Sequence, residues 1–232
     1  MSTLVEQIVA RAAVARERIA HAGGDPELVR IVAVTKGFGP EQVAAAFAAG
    51  LTDLGENYAD ELLAKWGTVG RAARWHFLGA VQRNKVGRLA PLVDCWQAVA
   101  RVVEGEAILR HRTEVLKEPA GQGLGPTTLF VEVETTGLAG RGGCTPEKVP
   151  DLVAALRDLG CGVAGLMTVA PPGGPKLARA TFDQVARLRD ELGLRELSMG
   201  MSEDLEQAVA AGATMVRLGT ALFGPRPQRR RL

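Results

Sequence analysis

The chain has 232 residues, and 28 Lys and Arg against 26 Asp and Glu leave a net charge of +2, too little to hold nucleic acid or an anionic membrane by whole-molecule field. With 47% hydrophobic and 23% charged residues the composition is that of a packed globular protein, which excludes a disordered or collagen-like chain. Three cysteines, Cys95, Cys144 and Cys161, form no CxxC pair, which argues against a disulfide framework and a zinc site and fits the reducing cytoplasm.

Leu4, Ile8, Ala12, Ala15 and Ile19 recur at i, i+4 spacing among Glu6, Arg11, Arg16, Glu17 and Arg18, so residues 1–24 open the chain as an amphipathic helix closed by Gly23 and Gly24. The interspersed charges rule out the h-region of a signal peptide. The longest apolar stretch, 43–51, is far shorter than the roughly 18 residues of a membrane span, and a soluble protein without a membrane partner is expected.

A β-branched run at 31–35 follows, then an alanine-rich helix from Pro40 to Gly50. The same unit repeats. Further strands are predicted at 51–54, 75–78, 94–99, 128–133, 163–168, 196–199 and 215–218, and helices at 58–66, 84–92, 102–117, 146–159, 177–192 and 202–211. Strand-helix alternation of this regularity means parallel strands joined by crossover helices, and eight units predict an α/β fold, a single (β/α)8 TIM barrel with an extra N-terminal helix, in one domain over 1–232. Residues 118–126 and 170–175 read as surface loops, and 225–232 as a solvated basic tail.

In such a barrel the ligand site lies at the carboxyl ends of the strands. Lys36 closes the first strand. Desolvated at a barrel mouth, a lysine has a lowered pKa and can condense with a carbonyl as a Schiff base; taken alone, the residue is better accounted for by a structural salt bridge or a snorkelling side chain. After the seventh strand, Ser198, Gly200 and Ser202 precede Glu203 and Asp204 in an N-cap sequence, and after the eighth Gly219 and Thr220 open a second glycine-bearing turn. Two such turns in these places predict a phosphate cup. Arg217 cannot shed its charge and needs an acceptor if buried: a carboxylate such as Glu132 or Glu134, or a heteroaromatic nitrogen or second anion of a ligand. His76 reads as a core histidine or a base, and Tyr58, the one tyrosine, as a helix-start contact or a catalytic group. No metal-site, HExxH, GxSxG, Walker or GxGxxG signature is present.

The strings AVTK (33–36), GENY (55–58), WHFLGAVQRNK (75–85), GLMT (165–168), LSMGMSED (197–204) and TMVRLGTALFG (214–224) resemble, in order, the pyridoxal phosphate homeostasis protein family, whose barrel is of the alanine racemase N-terminal type. The resemblance implies that Lys36 carries pyridoxal 5'-phosphate as a Schiff base, that Asn57 flanks it, and that Ser198, Ser202, Gly219 and Thr220 hold its phosphate. Gly200 lies within the same turn. Arg217 matches the arginine facing the pyridine nitrogen; it keeps its proton, so the ring stays a weak electron sink, which disfavours transaminase and decarboxylase chemistry. The sequence departs from the family at Gly140-Arg141-Gly142-Gly143, where members often carry a lysine in an SKxG-like turn. Arg141 keeps the charge but cannot act as a second nucleophilic amine.

Three functions follow from these features. The resemblance favours a non-catalytic cytoplasmic carrier of pyridoxal phosphate that supplies apo-enzymes. A racemase needs a second base opposite Lys36, and the chain ends eight residues after Gly224, without the C-terminal domain that builds the racemase dimer, which points to a monomer. A Schiff-base aldolase of the phosphosugar type explains Lys36 and the cup but leaves GENY and Arg217 without a role.

Overall fold

The computed structural model describes residues 2–117, 124–137 and 140–226. Residues 118–123 of the loop expected at 118–126, and 227–232 of the basic tail, lie outside this set. The first helix, α1 (Leu4–His21), starts at Thr3, whose hydroxyl accepts from Glu6 N while the Glu6 carboxylate accepts from Thr3 N. Its buried stripe is Ile8, Ala12, Ala15 and Ile19, the positions that carry the sequence periodicity.

Eight strand-helix units follow: β1 (Arg30–Val34) and α2 (Pro40–Ala48); β2 (Asp53–Glu56) and α3 (Ala59–Trp66); β3 (Arg74–Phe77) and α4 (Arg83–Leu89); β4 (Cys95–Val99) and α5 (Val102–Leu116); β5 (Thr128–Glu132) and α6 (Val149–Asp158); β6 (Val163–Met167) and α7 (Pro175–Glu191); β7 (Glu196–Ser198) and α8 (Leu205–Ala210); β8 (Met215–Leu218) and the one-turn α9 (Thr220–Phe223). Every neighbouring pair is parallel. β8 returns to β1, with Arg30 opposite Met215 and Ala33 opposite Leu218, and closes the barrel.

Because alternate side chains of a strand face opposite ways, each strand feeds two cores. On β1, Ile31 and Ala33 join the outer shell between strands and helices, which also holds Leu54, Trp75, Trp96 and Phe182, while Val32 points inward with Cys95, Ala98, Phe130, Met167 and Met215. Both cores are apolar, so strands buried on both faces read as near-continuous hydrophobic runs. The inward-facing polar residues are therefore exceptions that need partners.

The strand bounds match the expectation within a residue except at β2. Leu51 lies in the turn that closes off α2, where its N–H returns to Ala46 O, and the strand instead continues through Gly55 and Glu56, which pair with His76 and Phe77. Charged Glu56 hid this, because a buried carboxylate does not look like strand sequence. The helix expected at 146–159 is split into a 3-10 turn, Pro146–Lys148, and α6, whose first turn holds Pro150, where no N–H is required. The helix expected from Ser202 begins only at Leu205, because Asp204 Oδ1 accepts from Met201 N and closes residues 201–204 into a turn of their own.

Candidate functional site

A cleft of about 960 Å³ opens at the carboxyl ends of the strands. Six of the eight predicted residues line it: Lys36, Asn57, Ser202, Arg217, Gly219 and Thr220. Ser198 and Gly200 do not. Residues 170–175, expected as a plain surface loop, form one wall.

Lys36 lies two residues beyond the end of β1, in phase with inward-facing Val32 and Val34, so alternation turns its side chain into the barrel mouth rather than toward the helices. It is half-buried, and desolvation lowers its pKa, helped by the charge of Arg226 and opposed by Glu56 and Glu61. Neighbouring Thr35 and Gly37 are fixed from behind. Lys65 Nζ on α3 donates to Thr35 O at 2.8 Å, to Glu56 Oε1 at 2.7 Å and to Glu61 Oε2 at 2.8 Å, and Glu61 Oε2 accepts from Gly37 N at 2.8 Å. Thr35 Oγ1 donates to the same Glu56 oxygen. Burial pushes the Glu56 carboxyl up, while Lys65 and Thr35 hold it back. Asn57 sits where β2 leaves the barrel, and its carbonyl approaches Gly79 so closely that a Cβ there would lie 1.9 Å from it.

The turns after β7 and β8 come together at the rim of the cleft. Ser202 Oγ lies 3.3 Å from Thr220 Oγ1 and accepts from Ala221 N at 3.3 Å, so hydroxyls from the loops after β7 and β8 meet at one point of the rim. Gly219 backs onto β1, where an added Cβ would stand 3.3 Å from Val34 O. Gly200 serves the turn rather than the cleft: its φ is +91° and a Cβ would fall 2.5 Å from Ala208 Cβ. Sequence reading missed the supports contributed by α1. Arg18 pairs with Glu206 at 2.6 Å and donates to Ser202 O at 3.0 Å, and Arg11 donates to Leu222 O at 3.0 Å. Only an i, i+7 pair of arginines on one face of α1 could have signalled this.

Arg217 has acceptors other than the carboxylates considered above. Its Nη1 donates to Ser198 O at 2.7 Å and Ser198 Oγ at 2.9 Å, and its Nη2 to Thr168 O at 2.8 Å. Glu132 influences it only through space, and Glu134 is occupied by Thr136 and Gly137 of its own turn. Burial lowers the guanidinium pKa to about 10, so it remains a cation at neutral pH. The fully buried Ser198 hydroxyl donates to Gln97 Oε1 at 2.5 Å and is committed beneath Arg217. His76 is a core histidine, its ring nitrogens 2.8 Å from Asp53 Oδ1 and Gln97 Nε2. Tyr58 is 54% exposed and stands outside the cleft lining. Arg141 lines the cleft, with Nη1 3.4 Å from Val169 O.

These donors suit a phosphorylated aromatic aldehyde: an amine of lowered pKa in the mouth, paired hydroxyls beside a close-packed glycine turn, and a buried guanidinium fixed by Ser198 and Thr168. Among the described residues no helix is long and apolar enough to cross a membrane.

Comparison with known proteins bears on the same region. The sequence matches the alanine racemase N-terminal domain over residues 6–227. It is 41% identical to the pyridoxal phosphate homeostasis protein of Pseudomonas aeruginosa over 234 aligned positions, which cover 97% of each chain. The structure of PipY from Synechococcus elongatus with pyridoxal phosphate bound superposes with a TM-score of 0.74 at 30% identity, covering 90% of this chain and all of that one. Alanine racemase from Bartonella henselae shares the fold at 14% identity and a TM-score of 0.72, with 98% of this chain aligned to 61% of the enzyme. The chain belongs to the pyridoxal phosphate homeostasis protein family, built on the alanine racemase N-terminal barrel.

Proposed function

We propose that the protein binds pyridoxal 5'-phosphate in this cleft and serves intracellular homeostasis of the cofactor as a monomeric, non-catalytic carrier that supplies apo-enzymes. The observation that carries the reading is the convergence of Lys36, the Ser202–Thr220 hydroxyl pair and buried Arg217 on one cleft. The cofactor, when bound, supplies an aldehyde that condenses with a primary amine and releases water. Burial keeps a larger share of the Lys36 amine in the neutral, nucleophilic form than water would. Ser202, Thr220 and the Gly219 turn hold the phosphate. Arg217 donates toward the ring nitrogen without surrendering its proton, so no strong electron sink develops. Tyr58, the one tyrosine of the sequence, is exposed and is not part of the cleft lining, which supports a carrier over a racemase. The relatives named for cofactor homeostasis support the same reading.

The test is the visible absorption of purified wild type and Lys36→Ala, each with and without added pyridoxal phosphate, followed by borohydride reduction and peptide mapping. A yellow wild type, a colourless variant and a pyridoxyl label on Lys36 are expected. A wild type that takes up no pyridoxal phosphate, or a label on another residue, overturns the assignment. Racemase, decarboxylase and transaminase assays on the loaded protein then separate carrier from enzyme.

A further inference from the structure

We propose that Ser198, Gln97, His76 and Asp53 are positioning residues for Arg217, joined in a one-way chain of hydrogen bonds that runs through the barrel from the cleft to the opposite end. This role rests on the pyridoxal phosphate reading above, because it concerns how Arg217 is presented to the ring nitrogen.

The direction of the chain follows from its first member. A guanidinium can only donate, so Ser198 Oγ, 2.9 Å from Arg217 Nη1, must accept. The one hydroxyl proton of Ser198 then goes to Gln97 Oε1 at 2.5 Å. That fixes the amide, whose Nε2 faces His76 Nδ1 at 2.8 Å and Met215 Sδ at 3.0 Å. His76 Nδ1 must accept, so the ring proton sits on Nε2, which donates to Asp53 Oδ1 at 2.8 Å. A cation begins the chain and a carboxylate ends it. Asp53 is the first residue of β2, whereas Arg217 stands at the carboxyl side of β8, so the chain crosses the barrel between its two ends.

Ser198, Gln97 and His76 are fully buried in an otherwise apolar interior, and none of them lines the cleft. Reversing any one link sets two donors or two acceptors face to face where water cannot intervene. The Ser198 hydroxyl is thus barred from rotating, and Arg217 Nη1 is held in one place. Arg30 and Arg74, at the amino ends of β1 and β3, bear electrostatically on both Asp53 and His76 and favour the anionic end point.

Two measurements test this. In the ligand-free protein, 15N NMR of His76 should show a neutral ring protonated on Nε2; a proton on Nδ1 overturns the chain. In the loaded protein, pyridoxal phosphate labelled with 15N in the ring should report Arg217 directly. Gln97→Leu and Ser198→Ala are expected to move that resonance toward its value in water while affinity changes by less than about tenfold. His76→Gln, which offers one donor and one acceptor, should keep the wild-type resonance. Should Gln97→Leu fail to fold, Ser198→Ala, which lacks a single hydroxyl, carries the test. Normal uptake with an unmoved resonance overturns the inference and leaves the carrier reading standing. No uptake by the wild type overturns the carrier reading and this role with it.

Discussion

Lys65 Nζ lies 2.7 Å from Glu56 Oε1, and the two side chains are only 5% and 0% exposed. Through Thr35 O and, by way of Glu61, Gly37 N, this buried ammonium grips the peptide on both sides of Lys36. The backbone on both sides of Lys36 is thereby fixed while its side chain lines the cleft. Deleting one member of a buried pair strands the other charge, which typically costs about 3–5 kcal/mol, whereas removing both is far milder. Lys65→Met should therefore lose roughly that much stability in urea unfolding, and the double variant Lys65→Met, Glu56→Gln should recover a large part of it. A single variant as stable as wild type would show that the pair holds nothing in place.

His76 offers a pH-dependent prediction. Burial pushes its pKa down, the bond to Asp53 only partly restores it, and Arg74 and Arg30 add to the depression. As pH falls below about 6.5, the unfolded chain binds a proton that folded His76 refuses. The contribution is complete above that value and declines below it, by at most about 1.4 kcal/mol per pH unit. His76→Gln removes this part of the dependence. Urea midpoints at about pH 7.5 and 5 should thus converge in the variant relative to wild type; equal slopes in the two proteins would refute the assignment.

The barrel was readable because its strands are buried on both faces and its helices carry one apolar stripe, patterns that local sequence records directly. Lys36, Arg217 and the Ser202 and Gly219–Thr220 turns were readable too, since each closes a strand where ligands gather. The supports were not. Lys65 looked like one more charged residue on a helix, and nothing local places it beneath Lys36, about one strand-helix unit away. Gln97 and His76 are single polar residues within apolar strands, and only closure of the barrel brings them to Ser198. Ser198 itself was drawn to the phosphate by its motif, whereas the geometry turns its hydroxyl inward to Gln97.

Gly79 answers to a close approach rather than to an unusual φ. An added methyl would stand 1.9 Å from Asn57 O and 2.9 Å from its carbonyl carbon, both backbone atoms that cannot rotate aside. Gly79→Ala must push the 55–58 segment outward, moving Asn57 relative to Lys36. Weaker pyridoxal phosphate binding is expected together with a lower melting temperature. Gly67→Ala, where the new methyl meets no described atom within 4 Å apart from its chain neighbours, is the matched control. Unchanged affinity in Gly79→Ala would mean that Asn57 has no part in the site.

Ser202 and Thr220 meet at 3.3 Å with the Gly219 turn beneath them, and the cup reading assigns them to the phosphate rather than to the ring. A hydrogen bond to a charged group contributes about 1.5–3 kcal/mol, so Thr220→Ala should weaken pyridoxal phosphate binding by about tenfold or more. Pyridoxal, which lacks the phosphate, should bind wild type and variant alike. Equilibrium dialysis of both ligands against both proteins gives the comparison. If Thr220→Ala weakens the two ligands equally, the hydroxyl acts through the fold of the rim and the phosphate lies elsewhere in the cleft. If only the phosphorylated ligand suffers, the loops after β7 and β8 hold its phosphate, and Lys36 across the mouth is left to meet the aldehyde.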